Sequence, residues 1–150
     1  MIETLPDLIN VQFLGGEPFE SPIALEFLKL LKSTHGSLRD VTVHFQTNGS
    51  IKPDETLMSL AAECARIKFN ISVDGVGERF EYHRYPLRWE RINTTVDYVK
   101  SLQLKNLKFM NLATLTPLNA WYYDELEKWV KEKFNDLDLI TLKPNKSIGQ

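Results

Sequence analysis

Cysteine is almost missing from this chain: Cys64 is the only one in 150 residues. An internal disulfide is thereby excluded, and so is any cysteine-rich metal site built by this chain alone. Long apolar runs are missing as well. None approaches the roughly 18 residues that a membrane helix needs, and Met1–Asn10 carries Glu3, Pro6 and Asp7 where a secretory leader would be basic and then apolar. The expected location is the cytoplasm, with no membrane partner. Charge of one sign is not in excess either. With 18 Lys and Arg against 20 Asp and Glu, the net charge of −2 gives no basic field to hold nucleic acid or anionic lipid.

Several catalytic signatures are also absent. No Gly-x-Gly-x-x-Gly or Walker pattern follows a predicted strand, which disfavours a doubly wound nucleotide binder. No Gly-x-Ser-x-Gly elbow occurs. Cys64 falls in an alanine-rich, helix-like stretch where it reads as a small core residue, so nucleophilic catalysis has no candidate. The histidines His35, His44 and His83 lack metal-ligand spacing: His35 and His83 fall in expected loops and His44 within a strand.

What is present is a regular alternation. A chain of this length that is 43% hydrophobic supports one core, so residues 1–150 are expected to form one domain. Five short runs are apolar and rich in β-branched or aromatic residues: Ile9–Leu14, Val41–Gln46, Ile67–Val73, Leu107–Leu115 and Leu137–Leu142. Between them lie four segments of helical period. They are marked by Ile23, Phe27, Leu30 and Leu31; by Leu57, Leu60, Ala61 and Cys64; by Trp89, Ile92, Val96 and Val99; and by Tyr122, Leu126, Trp129, Val130 and Phe134. Ser21-Pro22 and Asp54 supply start signals for the first two helices. The aromatic run Trp121-Tyr122-Tyr123 reads as helix packing. A strand–helix alternation of this kind predicts an α/β fold with a parallel sheet, because parallel neighbours need long crossovers. A curved half-barrel and an open doubly wound sheet both fit.

In parallel α/β proteins ligands gather at the carboxyl ends of the strands. Here those ends are polar and marked by glycine. The first strand runs into Gly15-Gly16-Glu17-Pro18 and the second into Thr47-Asn48-Gly49. The third contains Ser72 and ends in Asp74-Gly75, and the fourth carries Asn111, Thr114 and Thr116. Taken singly, each has an ordinary reading. Gly15-Gly16 suits a tight turn, Asn48-Gly49 and Asp74-Gly75 are common turn dipeptides, and Thr47 and Ser72 are able to bond their own backbones.

Taken in order, these motifs resemble the radical S-adenosylmethionine superfamily. The stretch from Ile71 to Leu102, with Ser-Val-Asp-Gly, Tyr82-His83-Arg84-Tyr85 and Arg91-Ile92-Asn93-Thr94-Thr95, looks like the branch that includes the SPASM and twitch-domain enzymes. The likeness runs from about Val11 to about Pro144. It implies a partial (β/α)6 barrel, of which the chain supplies strands two to six. It also implies that Gly15, Gly16, Glu17 and Pro18 receive the cofactor's amino group, as carbonyl oxygens and a carboxylate suit an ammonium. By the same resemblance Thr47, Asn48, Ser72, Asp74 and Asn111 surround the ribose and carboxylate, and the Arg84 guanidinium meets the carboxylate.

One departure stands out. The family's Cys-x3-Cys-x2-Cys loop after strand one, which holds a 4Fe–4S cluster, has no counterpart before Gly15, so both that loop and strand one are missing from this sequence. Two expectations follow. The chain is a segment of a radical enzyme that acts only with a cluster loop supplied from elsewhere, or it is a degenerate binding or scaffold domain. In either case the edge at Ile9–Leu14 is expected to be covered, by the missing cluster-bearing segment, a swapped element or a second copy in a homo-oligomer.

Overall fold

The computed structural model describes residues 7–134 and, as backbone, residues 138–142. Five strands form one sheet in the sequential order β1-β2-β3-β4-β5, and each neighbouring pair is parallel. They are β1 (Asn10–Phe13), β2 (Thr42–Thr47), β3 (Arg66–Ile71), β4 (Leu107–Thr114) and β5 (Asp138–Leu142). The crossovers contain α1 (Ile23–His35), α2 (Glu55–Ala61), α3 (Glu78–His83), α4 (Trp89–Ser101) and α5 (Tyr123–Lys133). The predicted strands are present, each within about two residues of its expected ends; Leu137 lies outside the described residues, as do Lys143 and Pro144.

Register explains how the sheet is covered. Phe13, Phe45, Phe69 and Phe109 stand in one row across four strands, with Val11, Val43, Ile67 and Leu107 in the row below. Residues paired across a sheet share a face, so this face is apolar in both rows. Ala24, Leu28 and Leu31 of α1, Leu57, Met58 and Ala61 of α2 and Val99 of α4 pack on its first half. Ile92 and Val96 of α4 and Leu126, Trp129 and Val130 of α5 pack with Phe80 on the second. Sequential parallel strands joined by right-handed crossovers place their helices on one side, and these helices do lie there.

The opposite face carries the alternate residues. Gln12, His44, Lys68 and Lys108 form one row, Gln46, Asn70 and Met110 the next toward the carboxyl ends, and Asn10, Thr42 and Arg66 the row below. No helix among the described residues packs there.

Several local expectations are corrected. The buried stripe of α1 is Ala24, Leu28 and Leu31, while Ile23 and Leu30 are exposed. This helix has apolar residues nearly all round, so two overlapping stripes satisfy its periodicity. Pro22 starts α1 with no side-chain cap, so Ser21 does not act as one. Asp54 does cap α2, accepting from the Thr56 and Leu57 amides. That helix stops at Ala61, so the buried Cys64 sits in the turn before β3 and not within a helix. His35 and His83 close α1 and α3 where loops were expected, and α3 itself was not foreseen. Trp121 is exposed and does not pack a helix.

Candidate functional site

Four strand ends meet at the carboxyl edge, and the first two are tied together by one carboxylate. After β1 the chain turns through Gly15 (φ +82°) and Gly16 (φ +57°), a left-handed pair that side-chain-bearing residues adopt at a cost. A Cβ on either glycine would meet nothing within 4 Å, so the turn is open on that side. It delivers Glu17 to the end of β2. Glu17 Oε1 accepts from the Thr47 hydroxyl at 2.7 Å, and Oε2 accepts from the Asn48 amide at 3.0 Å. Thr47 is buried, and its hydroxyl oxygen accepts from the Gly49 amide at 2.8 Å. Asn48 Oδ1 accepts from the Ser50 amide at 2.8 Å, which fixes the turn.

All partners of Glu17 are neutral, and no described cation pairs with it. Burial therefore raises its pKa. The donors from Thr47, Asn48 and the Phe19 amide oppose that rise, and the Glu20 charge adds to it. Beside it, Phe13, Leu14, Gly15, Glu17, Pro18, Ser21, Ile23 and Ala24 line a groove of about 180 Å³.

The other two strand ends are built differently. Asp74 Oδ2 accepts from Arg84 Nε at 2.9 Å and from Arg84 Nη2, while Oδ1 accepts from the Thr114 amide at 2.8 Å. Asn111 lies in the row of Thr47 and Ile71, fully buried on the helix-covered side. Its amide both donates to the Val73 carbonyl (3.2 Å) and accepts from the Val73 N–H (3.1 Å), so it extends the ladder between β3 and β4. Ser72 lies just past β3, its N–H bonded to the Thr47 carbonyl at 2.9 Å and its hydroxyl without a partner among the described residues.

The residues predicted from sequence thus fall into two groups. Gly15, Gly16, Glu17, Pro18, Thr47 and Asn48 come together at the β1–β2 end, and Asp74, Arg84 and Asn111 at the β3–β4 end. Sequence reasoning missed Asn119. Buried, it donates to the carbonyls of Asp74 (3.0 Å) and Thr114 (2.8 Å) and accepts from the Thr116 amide (2.7 Å), locking the two loops together. The signal available in the sequence is only a proline-marked turn, Thr116-Pro117-Leu118-Asn119, with a polar residue at each end.

An ammonium-bearing cofactor suits the first group. Left-handed glycines leave backbone carbonyls accessible, and an ionised carboxylate with neutral partners lacks a cation. A cluster does not suit this chain. Cys64 stands at the opposite, amino end of β3, burial pushes its thiol up to about 11, and the described residues contain no group of three metal ligands.

No protein-family model matches the chain, and no curated protein matches it. Solved structures do. The fold matches anSMEcpe with bound S-adenosylmethionine and the Cp18Cys peptide at a TM-score of 0.72 and 21% identity, over 94% of this chain and 41% of that one. A second structure, native anSMEcpe with bound S-adenosylmethionine, matches at 0.70 and 24%, over 94% and 40%. SuiB of Streptococcus suis, bound to S-adenosylmethionine, matches at 0.64 and 16%, over 92% and 31%. The chain therefore shares their fold and spans 31% to 41% of their length. Among the described residues, no helix is long and apolar enough to cross a membrane.

Proposed function

We propose that the chain is the cofactor-cradling part of a radical S-adenosylmethionine enzyme of the SPASM and twitch type, its sheet being strands two to six of a partial (β/α)6 barrel. The observation that carries the reading is Glu17. Its carboxylate is held on a left-handed Gly-Gly turn at the strand ends by neutral donors only. Glu17 and the carbonyls of the Gly15-Gly16 turn would hold the cofactor's ammonium; Thr47 and Asn48 orient the carboxylate, and Pro18 stiffens the turn. Ser72, whose hydroxyl has no partner among the described residues, has hydrogen-bonding capacity left for the ribose. Bound there and reduced by a cluster, S-adenosylmethionine supplies hydrogen-atom abstraction. The solved structures of the same fold that contain S-adenosylmethionine support the reading.

The cluster would come from a cysteine-bearing segment outside residues 1–150. β1 is an edge strand with exposed Ile9 and Leu14 beside it, and we assign that edge to a further parallel strand. A second reading, a non-catalytic binding or scaffold domain, draws on the β3–β4 end, where Asp74, Arg84 and Asn111 already satisfy one another or the backbone.

Calorimetric titration with S-adenosylmethionine, alone and with a supplied Cys-x3-Cys-x2-Cys polypeptide, tests this. Binding that Glu17→Gln and Gly16→Val both weaken about ten-fold or more supports the cradle. Absence of binding by a folded chain in both conditions favours the scaffold.

A further inference from the structure

The helix-free face of the sheet has a composition that a dry packing surface lacks. Its central row is Gln12, His44, Lys68 and Lys108, with Arg66 below and Gln46, Asn70 and Met110 above. On β2–β4 its charged residues, Arg66, Lys68 and Lys108, are all basic, and the register sets Asp138 of β5 opposite Met110 at the far edge. Lys68 is half-buried and has no acidic partner among the described residues. Of the three buried side-chain polar atoms without a hydrogen-bond partner among the described residues, two lie here: His44 Nε2 and Asn70 Oδ1. An unmet buried polar group costs stability, so retention of both on one face calls for a partner.

Burial and the neighbouring Lys68 charge lower the His44 pKa, which keeps the imidazole neutral near pH 7. The Lys68 ammonium beside a neutral ring balances a single negative charge, as a carboxylate carries, better than a dianion. Asn70 Oδ1 is an acceptor, so it needs an N–H or O–H. It stands two residues up the strand from Lys68, about 6–7 Å nearer the Glu17 turn.

We propose that this face holds the substrate, and that the substrate carries a carboxylate, bound by Lys68 with His44, and a hydrogen-bond donor about 6–7 Å away, bound by Asn70. That the ligand is a substrate rests on the reading of the strand ends as a cofactor cradle. The row of Gln46 and Asn70 immediately precedes Thr47 and Ile71, so the donor end lies next to the cradle and the carboxylate end points away from it.

The test uses isotope-labelled full-length chain and three small probes: glutaramate, which has both groups; glutarate, which lacks the donor; and glutaramide, which lacks the charge. Saturable NMR shifts at His44, Lys68 and Asn70 are expected with glutaramate, weaker ones with glutarate and none with glutaramide. Lys68→Gln is expected to weaken glutaramate about ten-fold or more, and Asn70→Leu to erase its advantage over glutarate, both variants keeping native dispersion. Equal binding of glutaramide, shifts spread over unrelated lysines, or indifference to Lys68→Gln would overturn the proposal. So would a dimer in which a second copy covers the face and excludes all three probes. S-adenosylmethionine binding is read separately by calorimetry. If it persists while glutaramate fails, this inference alone falls; if it is lost while glutaramate binds, the cradle falls and an anion site without a reaction remains.

Discussion

Glu17 and Asp74 make an instructive pair. Each carboxylate follows a strand, and each accepts a backbone N–H from the neighbouring strand end, Asn48 in one case and Thr114 in the other. They differ in the other partner. Asp74 has a guanidinium, Arg84, whereas Glu17 has a hydroxyl, Thr47. Charge compensation thus separates the two ends of the sheet. At the β3–β4 end the ions neutralise each other and act as scaffold, while at the β1–β2 end one negative charge is left for something cationic to meet.

The largest expected effects fall on the scaffold side. Asn111→Leu would leave the buried Val73 N–H and carbonyl unpaired, and we expect a loss of about 3–5 kcal/mol in urea or thermal unfolding. A loss below about 1 kcal/mol would show that the Asn111 amide is free to serve a ligand, and the contrast between the two ends would fail. Gly49→Ala comes next. Its φ of +75° disfavours a side chain, and a Cβ there would lie 2.9 Å from Ile71 Cδ1 and 3.0 Å from Ile92 Cδ1. Strain and overpacking together are expected to cost about 2–4 kcal/mol. Gly16→Ala, with a similar φ and open space, is expected to cost about 1–2 kcal/mol, strain alone. Equal losses would mean that packing contributes nothing at Gly49.

Arg84→Gln sharpens the comparison directly. The pair is partly exposed, with side-chain exposures of 27% for Arg84 and 13% for Asp74, so screening limits the expected loss to about 1–2 kcal/mol. The variant converts Asp74 into a second carboxylate with neutral partners only. If uncompensated charge is what recruits a cation, it is expected to gain weak binding of small ammonium ions at the Asp74 end, visible as NMR shifts at Asp74 and Thr114 that the parent chain does not show.

Sequence made the strands and the Gly-Gly-Glu-Pro turn legible, because period, β-branched content and glycine at a strand end are local properties. It did not make the roles of Asn111 and Arg84 legible. Polar residues near strand ends look alike in one dimension, and which face Asn111 takes is set by register with Ile71. The resemblance assigns Arg84 to the cofactor's carboxylate; in the structure its guanidinium bonds Asp74, because α3, a short helix without a periodic apolar stripe, turns the chain back. The polar face was equally hidden. Gln12, His44 and Lys68 are far apart in sequence and become one row only through pairing.

The smallest effect carries the clearest sign. Burial raises the Glu17 pKa above the ordinary 4.5, so the folded chain takes up a proton there more readily than the unfolded chain. Glu17 therefore disfavours folding above its raised pKa, and that penalty is relieved as pH falls through the window down to about 4.5. Stability of the parent relative to Glu17→Gln is expected to rise as pH falls across this window, with little difference in slope elsewhere. Cofactor affinity should run the other way, because a protonated Glu17 no longer attracts an ammonium. One carboxylate would thus yield two opposite pH slopes, both flattened by Glu17→Gln. If affinity instead held constant across the window while stability changed, Glu17 would be a buried strut like Asp74, and the distinction between the two strand ends would be lost.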